Sequence, residues 1–344
     1  MVIGIIGASL SGLIAGEKLA KAGHDVTVIE KSRTLGGRLA THRVDGNFFD
    51  YGHTFLTAHG KEFKNFVHML QQKDLLFEWA NVFPLYDGSQ LHSINPNRPE
   101  SAYYASKNGL NAIAEFLKRW VDVKSEVKAG GLTHIGSDRT QKRAWMVNLT
   151  DISVFECDAV ILATPATEAL GILQTAQNQT AARRIMRYID DIFYEPRYAL
   201  MASYKEEAPA WQGIECDDKT LAWIGNETSK SEEQKQTNVV IHSSPSFVKA
   251  HVAKDSNEIT RMLLEKASEI AEPWLAHPEK TYLEFWKYYR AANPMDEYFM
   301  ELEMEEAPLA LIGDYFKGNS AEASYLSGLH LADYWINKYA TAEV

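Results

Sequence analysis

The chain has 344 residues, 45% of them hydrophobic and 24% charged, the length and composition of a globular protein with room for two domains and a large buried core. A net charge of −11, from 35 basic and 46 acidic residues, argues against a general nucleic-acid binder and leaves open only a local basic pocket for an anionic small molecule. Two cysteines, Cys157 and Cys216, make neither a disulfide framework nor a metal site by their spacing, and point to a reducing, cytoplasmic compartment.

VIGIIG (2–7) is a short apolar run with β-branched residues and predicts a buried strand. The stretch lacks the basic n-region of a signal peptide, and Glu17, Lys18 and Lys21 follow at once. Residues 11–22 predict a helix with Leu13, Ile14, Ala15, Leu19 and Ala20 inward and Gly23 as its stop. DVTVIE (25–30) predicts a second strand, so the opening is a βαβ unit and implies a parallel sheet. Helices are expected near 60–73 and 108–120, and strands at AWMVNLT (144–150) and CDAVILAT (157–164).

From residue 197 the pattern changes. RYALMASY (197–204), TLAWIGN (220–226), NVVIHSS (238–244) and TYLEFWKYYR (281–290) read as longer strands with few crossover helices between them, which predicts an antiparallel sheet in a second domain. NETSKSEEQKQT (226–237) reads as a surface loop, ARRIMR (182–187) as a solvated helix face carrying Arg183, Arg184 and Arg187, and ELEMEEAP (301–308) as an acidic surface run. LALIGDYF (309–316) returns to the buried-strand pattern, and 321–339 predicts a helix. The expected fold is α/β: a Rossmann-like domain from residues 1–70, 121–170 and 291–344, and a second domain from 71–120 and 171–290 on a mostly antiparallel sheet. No run of about 18 apolar residues occurs, so no membrane span is expected.

GIIGASLSGL (4–13) has the spacing of a dinucleotide-binding turn, with Ser9 where the second glycine of G-x-G-x-x-G belongs. Gly7 permits the tight turn and Gly12 lets the helix lie close to the strand; the middle position is where backbone approaches a pyrophosphate. Serine there either narrows that approach or donates a hydrogen bond to a phosphate oxygen. The helix N-terminus, opening at Ser11, offers unpaired N–H groups and the positive end of its dipole. Glu30 closes the second strand 23 positions after Gly7, where an acidic residue accepts bonds from a ribose. In this context the motif predicts a bound dinucleotide.

EKSRTLGGRLATHRVDGNFFDYG (30–52) places Gly36, Gly37 and Arg38 just beyond Glu30 and Lys31. Here the sequence resembles the flavin-dependent amine oxidase superfamily, which carries a G-G-R element after its ribose-binding glutamate. With GRLATHR, FFDYGHTFLTA, ILATPA, FWKYY and GDYFKGNSAEASYLSG, it resembles more narrowly the renalase-like branch, in register from residue 3 to about 335. The resemblance implies FAD, held by the βαβ unit, the G-G-R loop and a C-terminal strand and helix. Its cofactor contacts would be Gly7, Ser9, Ser11, Gly12, Glu30, Lys31, Gly37 and Arg38, with the backbone of Val127 at the adenine and Asp314 at the ribityl chain. The first turn of the last helix, Glu322, Ala323 and Ser324, would turn its N–H groups to the flavin N1/O2 edge, where reduction places negative charge. The residues agree with this: paired glycines admit backbone close to a ligand, and Arg38 brings a fork suited to pyrophosphate.

Five positions depart from the family pattern. Ser9 and Ala323 stand where relatives carry glycine, and His53, Thr54 and His59 where renalases tend to carry alanine, glutamine and arginine. The last three put the substrate in doubt. His53, Thr54, Trp286 and Tyr288 are the candidate catalytic residues; the alternative is that His53, Thr54 and Phe55 only shape the bed of the flavin and that FWKYYR (285–290) is core. His242 reads as a satisfied structural histidine. Cys157, in a buried strand, is unsuited to a cysteinyl–flavin bond, and no metal site is expected.

The implied function is an FAD-dependent oxidoreductase, an oxidase taking hydride from a reduced nicotinamide dinucleotide, NAD(P)H or an isomer with its hydride on the wrong ring carbon, and passing electrons to O2. Such a donor needs no general base, which suits a sequence without an obvious acid–base pair. An amine oxidase or a desaturase of another small molecule is the alternative among enzymes, and a non-catalytic binding protein on the same fold the alternative outside them. No nucleic-acid partner is expected.

Overall fold

The structure, a computed structural model, describes residues 1–96, 100–135, 143–176, 180–302 and 307–340. The chain divides into two compact units. The first takes Met1–Leu39, Ile113–Tyr194 and Arg290–Val344, the second Ala40–Ala112 and Glu195–Tyr289. The fold is mixed α/β with a Rossmann-like first unit.

The centre of the first unit is a six-stranded sheet in the order Met300–Leu302, Leu309–Leu311, Ala159–Leu162, Val2–Ile6, Asp25–Ile29 and Asp122–Lys124. Every pairing is parallel except that of the Met300–Leu302 edge. The inner strands Val2–Ile6, Ala159–Leu162 and Leu309–Leu311 are continuous apolar runs because such a sheet is covered on both faces. The opening helix, Leu10–Lys21, packs on the closing helix, Ala321–Lys338. A Cβ at Gly328 would lie 2.3 Å from the Ser11 carbonyl oxygen, so glycine sets how closely these helices meet.

The stretch 157–164, expected as one strand, is two. Val154–Cys157 belongs to a separate three-stranded antiparallel sheet with Ala129–His134 and Trp145–Leu149, and Ala159–Leu162 to the parallel sheet. Asp158 makes the break: its carboxylate accepts from the Val2 N–H at 2.7 Å and pairs with Arg143 at 2.8 Å. The 108–120 helix is a shorter one, Asn111–Leu117, followed by a 3-10 turn at Lys118–Trp120.

The second unit is built on a seven-stranded sheet in the order Lys280–Ala291, Tyr194–Tyr204, Thr237–Ser243, Leu221–Asn226, Gly213–Cys216, Leu85–Tyr86 and Leu91–His92. Its pairings are antiparallel from Tyr194–Tyr204 through Gly213–Cys216, and parallel between Gly213–Cys216 and Leu85–Tyr86. Period-two alternation divides the side chains between two faces. Leu200, Ala202, Tyr204, Val239 and Ile241 meet Ile259, Leu263 and Ala267 of the helix Ser256–Ile270 on one face. Met201 and Val240 meet Phe49, from the Thr41–Val44/Asn47–Asp50 hairpin, on the other.

The divisions differ from those expected. Residues 40–70 fall in the second unit, where Phe49 packs on that sheet. Residues 171–194 fall in the first, since Leu173, Ile185, Ile189 and Ile192 share a core with Leu132, Trp145 and Val147. The polar run 226–237 is no simple surface loop: it starts with a 3-10 turn, Glu227–Lys230, and both Glu227 and Lys230 have fully buried side chains. The run 301–308 is likewise not wholly surface, as Leu302 is buried and Glu301 accepts from Trp335 Nε1 at 2.8 Å and pairs with Lys338; 303–306 lie outside the described residues.

Candidate functional site

The strand–turn–helix at the N-terminus has the geometry its glycines predict. Gly7 sits at φ +104°, and a Cβ there would lie 2.6 Å from the Ala163 carbonyl oxygen; at Gly12 it would lie 2.3 Å from the Gly7 oxygen. Neither position admits a side chain. Ser9 is the N-cap of the opening helix, its Oγ accepting from the Gly12 N–H. That hydroxyl donates to the Ala163 carbonyl at 2.9 Å, which leaves Ser11 Oγ as donor in the 2.9 Å bond between the two serines. Ser9 therefore spends its only hydrogen inside the protein. Of the two roles open to it in the sequence, donation to a phosphate is not the one this geometry serves.

Glu30 binds the turn from the next strand. Its Oε2 accepts from the Ala8 N–H and its Oε1 from the Ser32 N–H, each at 2.8 Å. Each oxygen keeps a lone-pair direction for a ligand hydroxyl. The glycine pair is tied to the same turn: the Gly36 N–H donates to the Ala8 carbonyl at 2.8 Å, and Gly37, exposed at φ +56°, lies against Ser9.

Arg38 and Asp314, expected at the pyrophosphate and the ribityl chain, form an ion pair with each other; Asp314 is buried. Lys31 pairs with Glu168 at 2.6 Å on the surface. The Val127 N–H donates to the Glu30 carbonyl at 3.0 Å. Of the three N–H groups expected to face a flavin, two are engaged by the cap residue Ser320: Ala323 N–H donates to its Oγ at 3.2 Å and Ser324 N–H to its carbonyl at 3.0 Å. Ser324 Oγ accepts from the Ser11 N–H at 3.1 Å, joining the first turns of the two helices. Glu322 lies in the same first turn. Burial pushes the Cys157 thiol up to about 12, so it is an inert apolar residue.

In the second unit the segment after Asp50 is held by a buried ionic cluster that the sequence did not reveal. Lys230 Nζ lies 3.2 Å from Asp50 Oδ2, 2.7 Å from Glu227 Oε1 and 2.7 Å from the Thr54 carbonyl. Glu227 Oε2 accepts from the Asp50 N–H at 2.9 Å, and Asp50 Oδ1 from Thr41 Oγ1 and the Leu110 N–H. Burial opposes the Lys230 charge, and the two carboxylates more than offset it. Burial lifts the Glu227 carboxyl to about 7, with Lys230 opposing and Asp50 reinforcing.

Beyond that anchor lies an aromatic patch. Trp286 Nε1 donates to the Tyr51 carbonyl at 3.1 Å, and their ring centroids are 5.3 Å apart. The Tyr289 hydroxyl donates to the Gly52 carbonyl at 3.4 Å, and its ring is 6.5 Å from that of His53. Thr54 is buried. Tyr288, expected beside Trp286, instead carries the Lys287 ammonium 5.2 Å over its ring, and Tyr289 takes the place by the Tyr51–His53 segment. His242 is buried, with Nε2 3.0 Å from the Tyr51 carbonyl. A carbonyl only accepts, so Nε2 carries the hydrogen and Nδ1 is the acceptor. Burial and the neighbouring Arg197 charge hold this imidazole well below its usual value, so it is neutral. Alternation alone puts Arg197 on the His242 face; the residues themselves carry no other signal for it.

Residues 5–72 match the NAD(P)-binding Rossmann-like domain family. The chain is 36% identical over 81 residues to the 4,4'-diapophytoene desaturase (4,4'-diaponeurosporene-forming) of Staphylococcus aureus, which is 21% of this chain and 16% of that protein. It therefore spans well under a fifth of the curated relative's length in that match. Among solved structures it is similar to the cyclohexylamine oxidase of Brevibacterium oxydans, with TM-score 0.72, 11% identity and coverage of 98% and 99% of the two chains. It is similar also to putrescine oxidase bound to putrescine, with TM-score 0.71, 13% identity and coverage of 98% and 99%. At such identities the likeness is one of fold.

Proposed function

We propose that the protein is an FAD-dependent oxidoreductase, an oxidase of the renalase-like kind that takes hydride from a reduced nicotinamide dinucleotide and passes the electrons to O2. The observation that carries this reading is the N-terminal turn. Two positions there exclude a Cβ, an exposed glycine at positive φ lies against it, and each oxygen of the Glu30 carboxylate holds a single backbone N–H. That is a fit for a dinucleotide with its pyrophosphate at the helix N-terminus and its ribose on Glu30. The first unit would then be the cofactor domain and the second the donor domain.

When bound, FAD supplies a two-electron acceptor, so that a donor loses hydride and O2, with two protons, leaves as peroxide. The residues of the chain bind and orient. Gly7, Gly12 and Gly37 give close backbone access, and Glu30 holds ribose hydroxyls. Arg38 and Asp314 would exchange part of their ion pair for ligand contacts. His53 and Trp286, fixed to the Tyr51–Thr54 segment, would position the donor. A second reading, oxidation of an amine, is favoured by the aromatic patch of Tyr51, Trp286 and Tyr289, which suits a neutral amine.

The test is spectroscopic. The purified protein should be yellow, and acid precipitation should release all the colour as FAD. Mixed without oxygen with reduced nicotinamides, their isomers and amines, it should bleach fastest with a nicotinamide. A colourless protein that takes up no flavin would favour a non-catalytic binding role. Bleaching only by amines would move the assignment to the second reading.

A further inference from the structure

Arg197 is a half-buried arginine with no carboxylate partner among the described residues. Among the described residues its contacts are two. Nη1 donates to His242 Nδ1 at 3.4 Å, and the guanidinium lies 4.0 Å over the Tyr289 ring. Among the described residues no acidic group lies within ion-pair distance, and the buried Nε has no hydrogen-bond partner. This is costly: burying a cation without an anion, and a donor without an acceptor, each works against folding. Yet the group is held in place from three sides. His242 is kept neutral by burial and by the Arg197 charge itself, and in one tautomer by the Tyr51 carbonyl, so Nδ1 must accept. Tyr289 is oriented by the Gly52 carbonyl. The third support is the strand itself, Tyr194–Tyr204, whose alternation aims Arg197 to the same face as Met201.

A preorganised fork with unspent donors is what recognises planar oxyanions. The surroundings specify the rest of the ligand. Tyr289, His242 and His53 are rings, with Tyr289 5.8 Å from His242 and 6.5 Å from His53. We propose that Arg197 anchors an anionic oxygen group, a carboxylate or a phosphate, on a flat molecule that lies against these rings. The proposal rests on the function above only in taking that molecule to be the hydride donor. It sets the donor's charge: a cationic amine would meet a like charge here, whereas a dinucleotide or an aromatic acid would complete the site.

The probes are three molecules on one scaffold: benzoate, phenyl phosphate and the neutral benzamide. Each is titrated into the purified protein, with tryptophan fluorescence as the readout for either outcome of flavin loading and the visible spectrum as a second readout if the protein is yellow. At least one anion should bind saturably and at least tenfold tighter than benzamide, and the tighter anion identifies the group. Arg197→Met should weaken that anion at least tenfold and leave benzamide unchanged, and Arg197→Lys, which keeps charge and loses the fork, should fall between. The proposal is overturned if benzamide matches the anions, if none of the three binds, or if Arg197→Met binds the anion as the parent does. The comparison of anion with amide needs only the parent protein, so it decides even where the methionine variant does not fold. A colourless protein that still prefers the anion refutes the flavin reading alone; a yellow protein without that preference refutes the anchor alone.

Discussion

The hydroxyl of Ser9 faces into the protein, and this makes the substitution of the middle glycine testable. Ser9→Gly removes the cap and the bond to Ala163. Glycine is itself an adequate N-cap, so the change should cost no more than about 1 kcal/mol of stability and alter FAD affinity by at most about 1.5 kcal/mol. Ser9→Val adds branches at a Cβ that already stands 3.5 Å from the position a side chain would take at Gly37, and should empty the site. Flavin titration and thermal melts check both; full occupancy in the valine variant would refute the cradle.

Glu227 supplies a pH dependence. Its carboxyl titrates near 7 in the folded chain against an ordinary value of 4.5. The folded state thus binds the proton more tightly than the unfolded state. The contribution is fully present below about 4.5 and is lost as pH rises through 7. Melts from pH 4.5 to 8 should fall more steeply for the parent than for Glu227→Gln, which cannot titrate; parallel profiles would contradict the shift. At the aromatic patch, His53→Ala and Trp286→Ala should slow flavin reduction by on the order of a hundredfold if they position the donor, since an error of about 1 Å has that effect. FAD content and reoxidation by O2 should change little. Reduction at the parental rate in both variants, with every donor, would make these residues packing.

At the scale of elements, the join between the opening and closing helices carries the first unit. Gly328→Ala places a methyl group where the Ser11 carbonyl oxygen already sits, so the helices must part. Overpacking of this kind costs typically about 1–3 kcal/mol, and it also disturbs the bond from Ser11 N–H to Ser324 Oγ. The variant should melt lower and retain less flavin; an unchanged melt would mean the helices do not need this contact. The elements that form this join were the legible ones. The turn is legible because backbone geometry at Gly7 and Gly12 tolerates no other residue, and the closing helix because its apolar positions recur. Four features were not. The break at Asp158 depends on Val2 and Arg143, distant in sequence. The Glu227–Lys230 turn lies in a run whose polarity marks a surface, yet its charges neutralise one another inside. Tyr289 meets the Tyr51–His53 segment, against strict alternation, and alternation gives Arg197 a face but not its neighbours. Both depend on which strands come together, and that pairing is not written in any single stretch.

For the molecule as a whole, a cofactor bound to the folded state stabilises it by mass action. FAD at a hundred times its dissociation constant should add about 2.7 kcal/mol, seen as a rise of several degrees in the melting temperature of protein stripped of flavin. No rise with FAD would remove the cofactor from the account. The interleaving of the two units in the chain has a separate consequence, for synthesis. Ala159–Leu162 pairs in parallel with Leu309–Leu311, and the helix that covers this sheet ends at Lys338. At about 5–20 residues per second, a ribosome needs roughly 7–30 s to make the intervening segment. Throughout that time the nascent strand keeps an apolar edge without its partner, and such an edge is a template for aggregation. Neither unit can close as it emerges, because each waits for a later segment. Folding of each unit therefore waits on a segment made later, and the yield of folded protein should depend on translation speed and holding chaperones more than that of a chain with two consecutive domains would.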